Sequence, residues 1–131
     1  MAALTTILHV EDEPDIREIA AIGLGEAAGY EVLSCATAAE ALAAVRGERK
    51  PDLVLLDVMM PDMDGTDLLA ALRAEPGMAG VPAVFVTAKT EPAEIAPLRD
   101  AGAAEVVSKP FDPMTLGERL ERIWEQHAGG S

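Results

Sequence analysis

A single cysteine, Cys35, stands in a chain of 131 residues, so no disulfide can close within it. Cys35 lies in an apolar stretch and reads as a small buried hydrophobe. Bases are scarce: 10 Lys and Arg face 23 Asp and Glu, for a formal net charge of −13. A nucleic-acid surface needs clustered Lys and Arg, and this chain has too few to build one. The same deficit argues against an anionic membrane. An acidic chain suits a cation ligand or a basic partner face. No apolar run approaches the roughly 20 residues of a membrane span. The N-terminus lacks the basic region of a secretion signal, and its apolar stretch breaks at once into acids. A cytoplasmic location is expected. His9 falls within an apolar run and His127 near the end of the chain. Neither has a partner at metal-ligand spacing, and no Ser–His–Asp or Cys–His arrangement competes for a catalytic role.

Half of the sequence is hydrophobic, ample for one domain's core, and its apolar runs alternate with helix-like segments. "TTILHV" (5–10) reads as a first strand. Pro14 opens a helix in which Ile16, Ile19, Ala20 and Leu24 recur at helical spacing, and Gly29 ends it. "YEVLSCA" (30–36) is a second strand. "TAAE" (37–40) has the capping-box form and starts an Ala-rich helix. "LVLLD" (53–57) and "AVFVT" (83–87) are continuous apolar runs, one ending in an acid and the other in a hydroxyl. Short helices span 66–73 and about 92–101, the latter opened by Pro92 and stopped by Gly102. "EVVSK" (105–109) is a fifth strand. Asp112 and Pro113 begin a last helix, striped by Leu116, Leu120, Ile123 and Trp124 and ending near His127. Strand runs that are apolar throughout have both faces covered. This predicts an α/β fold, a doubly wound, five-stranded parallel sheet with helices on each side. The domain is expected over 1–127, with a flexible tail at 128–131.

In such sheets ligands bind outside the carboxyl ends of the strands. Glu11 and Asp12 follow the first strand, Asp57 ends the third, Thr87 the fourth and Lys109 the fifth. Two carboxylates about 4 Å apart repel by roughly 4 kcal/mol at an effective dielectric near 20. Three together need a cation, or one must stay protonated. Lys109 offsets one charge. Oxygen-only ligation by a hard divalent ion points to Mg²⁺, which takes few carboxylates and leaves positions for a phosphate. A hydroxyl and an ammonium beside such an ion suit the remaining phosphoryl oxygens. The central carboxylate, Asp57, is the candidate nucleophile, forming an acyl phosphate.

These positions and their flanks, "HVEDEPDI", "PDLVLLDVMMPDMDG", "FVTAK" and "AEVVSKPFDP", resemble the receiver domain of bacterial two-component response regulators. The resemblance runs from about Leu4 to Glu125. It implies a flavodoxin-like (βα)₅ sheet with strand order 2-1-3-4-5. It also implies that Asp57 is the phosphoacceptor and that Asp12 and Asp57 ligate Mg²⁺ directly. Glu11 would hold the metal through water, and the Met59 backbone carbonyl would be a further ligand. Thr87 and Lys109 would contact phosphoryl oxygens, and the Lys109–Pro110 peptide bond would be cis. Glu13 reads as a solvated residue at a helix start, where the helix dipole favours it. The implied partner is a sensor histidine kinase or a histidine phosphotransfer protein, docking near the first helix (about 14–28) and the loop after the fifth strand. A downstream protein target would read the phosphorylated form, and the protein would be a monomer or a weak homodimer.

Three positions set this chain apart. Val106 stands where the family usually carries an aromatic that swings inward as the threonine moves. Val has one stiff torsion and no ring, so a weak or altered change is expected on the face of helix 4, strand 5 and helix 5. Met59 and Lys89 occupy positions that tune dephosphorylation, and Met59 offers attacking water no hydrogen bond, so a long-lived phosphoryl group is expected. Two alternative functions remain open. One is a receiver-like interaction module that never takes phosphate, although such modules usually lack one of the five residues. The other is an aspartyl-phosphate phosphatase, which commonly carries another Asp where Met59 stands. "PDMDG" (61–65) lacks the acids of a calcium loop at Met60 and Ala71, and reads as a turn.

Overall fold

The computed structural model describes residues 4–129. Five parallel strands, β1 (Thr6–Val10), β2 (Glu31–Cys35), β3 (Leu53–Asp57), β4 (Ala83–Thr87) and β5 (Glu105–Ser108), form one sheet in the order β2-β1-β3-β4-β5. Helices α1 (Pro14–Ala21), α2 (Ala38–Val45), α3 (Gly65–Arg73), α4 (Pro92–Asp100) and α5 (Pro113–Trp124) follow the strands in turn. The expected fold class and strand order are those observed.

Alternate strand residues feed two cores. Leu8, Val10, Val54, Leu56 and Phe85 face one side, where Ala41, Val45, Leu68, Leu72 and Leu98 of α2, α3 and α4 cover them. Ile7, Leu53, Leu55, Val84 and Val86 face the other, under Leu24 and the α5 stripe of Leu116, Leu120, Ile123 and Trp124. β3 and β4 are buried along their whole length, which is why their sequences show no polar alternation. Half of the expected capping box forms: the Thr37 hydroxyl accepts from the Glu40 N–H at 3.1 Å, but Glu40 reaches back to the N–H of Ala36, one residue before the cap, at the same distance.

The first helix departs from the expected regular stripe. Ala20 and Leu24 are buried, but Ile16 is half-buried and Ile19 is 47% exposed on the flank. Past Ala21 the helix widens into a π-helical stretch, Ile22–Ala27, and Gly29 then ends it with φ +85. This stretch packs against α5 at the small residue Gly23, where a Cβ would stand 2.2 Å from the Pro113 carbonyl oxygen. The last helix also runs beyond its expected end, as a π-helical turn over Glu125–Gly129. The expected tail at 128–131 is thus helical in its first two positions, and residues 130 and 131 lie outside the described residues.

Gly23→Ala is expected to cost about 2 kcal/mol or more in urea unfolding, because a backbone carbonyl cannot swing aside as a side-chain tip can. Gly25→Ala, whose nearest new neighbour lies at 3.7 Å, is expected to change stability by less than about 1 kcal/mol.

Candidate functional site

Four of the five strands, all but β2, deliver side chains to the carboxyl edge. Glu11 continues β1, its N–H donating to the Cys35 carbonyl at 3.0 Å, and its side chain is 1% exposed overall. Asp12, the next residue, is exposed. Asp57 closes β3 and is buried. Thr87 closes β4, and its hydroxyl accepts from the Lys89 N–H at 3.0 Å. Lys109 follows β5; its N–H donates to the Thr87 carbonyl at 2.9 Å, and its peptide bond to Pro110 is cis. A cleft of about 310 Å³ is lined by Asp12, Asp57, Met59, Thr87, Lys89 and Lys109, among others. The expected site residues Glu11, Asp12, Asp57, Thr87 and Lys109 therefore lie at one edge, with the exposed Met59 side chain on the rim.

Glu11, Asp12 and Asp57 each place a carboxylate oxygen within 4.8 Å of the others. The Lys109 ammonium sits between two of them, 2.9 Å from Glu11 Oε1 and 3.2 Å from Asp57 Oδ2. Burial pushes the Glu11 carboxyl above its ordinary value; the Lys109 contact works against this, and the Asp57 charge adds to it. Burial acts to lower the Lys109 pKa, but its contacts with Glu11 and Asp57 outweigh that and raise it. One ammonium against three carboxylates leaves the edge under-neutralised. Glu11 Oε1 is buried and, although close to the ammonium, lacks a partner in hydrogen-bond alignment. An all-oxygen donor set with a buried, incompletely paired carboxylate fits a hard cation.

Sequence reasoning missed Arg17, which donates to the Glu11 carbonyl at 2.8 Å and braces the turn out of β1. Its position one turn into α1 was the available signal. Asp62 was also passed over as part of a turn. Its carboxylate accepts from the N–H groups of Ala38 and Ala39 at the start of α2, and nothing in the sequence links those distant positions.

Fold and edge together define an open parallel α/β protein with an anionic, lysine-bridged site at the carboxyl ends of its strands. The response regulator receiver domain model matches residues 7–121, and the chain belongs to that family. It is 43% identical over 115 residues to the DNA-binding response regulator MtrA of Mycolicibacterium smegmatis, a match covering 87% of this chain and 48% of that protein. It is 38% identical over 125 residues to the phosphate regulon transcriptional regulatory protein PhoB of Pseudomonas aeruginosa, covering 95% of this chain and 54% of that one. The chain spans about half the length of these curated relatives. Among solved structures, the Vibrio cholerae chemotaxis protein CheY4 superposes with a TM-score of 0.84 at 34% identity, covering 92% of this chain and 99% of that one. A CheY-like receiver domain protein of Methanospirillum hungatei superposes at 0.83 with 31% identity, covering 98% and 100%. No helix among the described residues is long and apolar enough to cross a membrane.

His9, on β1 two residues before Glu11, is 1% exposed, and its Nδ1 has no partner. Burial, with the positive charges of Lys109 and Arg17 adding to it, lowers its pKa from 6.5 to about 4. Between those values the unfolded chain binds a proton that the folded chain refuses, so metal-free stability falls as pH drops from about 6.5 to about 4. His9→Val is expected to raise stability by about 1 kcal/mol at pH 7, by removing a buried unpaired polar atom. The gain should grow by roughly 3 kcal/mol toward pH 4. Urea unfolding of both proteins across this range measures it, and a gain that shrinks on acidification contradicts the assignment.

Proposed function

We propose that this receiver domain accepts a phosphoryl group on Asp57 from a phosphohistidine, in a reaction that requires Mg²⁺. The observation that carries the reading is the Lys109 ammonium held between Glu11 and Asp57 in a cluster of three carboxylates, an arrangement whose net negative charge suits a divalent cation. Asp12 and Asp57 would hold the metal directly, Glu11 through water, and Met59 through its backbone carbonyl. Bound there, the ion supplies charge neutralisation for the transferring phosphoryl oxygens.

Asp57 attacks phosphorus through a carboxylate oxygen. A P–O bond forms, the P–N bond breaks, and the imidazole nitrogen leaves with the electron pair and takes up a proton. Thr87 donates its hydroxyl to one phosphoryl oxygen. Lys109, released from part of its pairing with Asp57 as that carboxylate becomes an ester-like acyl phosphate, pairs with another. Water later attacks phosphorus and returns the free aspartate.

The donor histidine has a landing surface beside the cleft. Ile16, Ile19, Pro110 and Phe111 line an apolar pocket of about 300 Å³ that shares Ala88 and Lys109 with the site. A kinase or phosphotransfer helix seated there would present its imidazole to Asp57. The exposure of Ile19, unexplained by packing, suits this role. The surrounding protein is proposed to act in the cytoplasm, as a monomer or weak homodimer. The names of MtrA and PhoB assign DNA binding or transcriptional control to those longer proteins; the acidic balance of these 131 residues argues only that this segment is not itself the DNA-contacting surface. Convergence of all five residues counts against a phosphate-free interaction module.

Incubation with acetyl phosphate and Mg²⁺ should add one phosphate by intact mass, and the adduct should be absent in Asp57→Asn and when the metal is chelated. It should outlast a few seconds, since Met59 positions no water. Unmodified wild-type mass would refute the reading.

Val106 is buried among the core side chains of its face, paired across the sheet with Phe85. With no ring to swing, beryllofluoride binding should shift NMR resonances around Asp57, Thr87 and Lys109 while moving α4, β5 and α5 little. Large shifts centred on that face would show that another device couples it to the site.

A further inference from the structure

We propose that Asp62 is a positioning residue for the metal site, acting by tying the loop after β3 to the start of α2. The inference rests on the magnesium reading above. The segment between Val58 and Asp64 carries Met59, which lines the cleft beside Asp12 and Asp57. Val58 is fixed by its N–H to the Val86 carbonyl at 3.3 Å and by its own carbonyl, which accepts from the Gly65 N–H at 2.8 Å. Asp64 is fixed as the cap of α3, accepting from the Thr66 N–H at 2.8 Å. Between these anchors, among the described residues, positions 59–63 make no backbone–backbone hydrogen bond. Met60 and Met63 rest against the core, a non-directional contact that leaves the peptide planes free to turn.

Asp62 supplies the directional tie. Its Oδ1 accepts from the Ala38 N–H at 3.2 Å and its Oδ2 from the Ala39 N–H at 3.3 Å. These donors are orphans of the first turn of α2, so each oxygen meets a group that has no partner within its own helix. The anionic side chain also lies at the positive end of the helix dipole. α2 itself is clamped to the sheet by Ala38, Ala41 and Val45. A loop bonded to it at two points inherits that rigidity, and the Met59 carbonyl is held in one orientation rather than sampling several. Supporting contacts of this kind typically contribute tenfold or more to metal affinity.

The geometry provides its own control. Thr37 caps the same helix through its hydroxyl but, among the described residues, makes no hydrogen bond to the loop after β3. The test is the Mg²⁺ dissociation constant of the full chain, by calorimetry, for wild type, Asp62→Ala, Asp62→Asn and Thr37→Ala, with amide hydrogen exchange at Ala38 and Ala39 in metal-free protein. Asp62→Ala should weaken Mg²⁺ binding about tenfold and speed exchange at both amides. Asp62→Asn, which keeps one acceptor oxygen but presents an NH₂ to the second amide, should fall between wild type and Asp62→Ala, while Thr37→Ala should stay within about threefold of wild type. Unchanged affinity in Asp62→Ala overturns the proposal. So does an equal loss in Thr37→Ala, which would make the effect one of helix stability. Failure of wild type to bind Mg²⁺ would instead remove the metal reading itself, and this inference with it.

Discussion

Three carboxylates brought within 4.8 Å of one another, with a single ammonium among them, is the arrangement on which the rest of the molecule depends. Each like-charge pair opposes folding, by an amount on the order of a few kcal/mol at short range. Something must hold these groups where they repel. The parallel sheet does so because β1 and β3, which deliver them, pair side by side and are buried between the two cores, so their ends cannot slide apart without opening both. Lys109 reduces the repulsion without cancelling it, and a buried Glu11 oxygen is left incompletely paired. Electrostatic energy held in this way is what a cation and a transferred anion can release. A site neutral at rest would bind neither well.

The architecture was legible because burial on both faces leaves a signature in the sequence. Runs such as "LVLLD" have no polar alternation, and helix punctuation at Pro14, Thr37, Pro92 and Asp112 separates them clearly. The site was legible because each functional residue sits within a residue or two of a strand end, where a topological rule places it without coordinates. The strand order was not read from pattern. Parallel runs of similar composition permit several orders, and the resemblance supplied the one observed.

What escaped the sequence shares a physical cause: dependence on contacts between distant segments. Ile19 fits the helical period as well as Ala20 does. It is left exposed on the wall of a pocket whose other side is built by Pro110 and Phe111, from the other end of the chain. The π-helical stretch after Ala21 answers to the backbone of Pro113, more than eighty positions away in sequence, and the glycine it requires resembled any other glycine inside a helix. Asp62 belongs to a Pro-Asp-Met-Asp-Gly segment whose turn-forming chemistry is sufficient to explain its composition, which hid its second bonding role.

The same long-range contacts bear on how a signal leaves the site. In a close-packed protein a local change travels only through elements that have two arrangements available. β5 offers little of this: Val106 fills its place beside Phe85 in a face already dense with aliphatic groups, and a branched side chain with one torsion has no second seat to take. The loop after β3 differs. It borders the reacting carboxylate at Met59 and is bonded to α2 at Ala38 and Ala39, with no backbone ladder of its own to resist a shift. A change in charge at Asp57 acts on the peptide groups nearest to it, and Met59 N–H already lies 3.4 Å from Asp57 Oδ1. In place of a backbone ladder the Asp62 bonds to the Ala38 and Ala39 N–H groups hold the loop, so the peptide nearest Asp57 is restrained by directional side-chain hydrogen bonds to a second element rather than by packing alone.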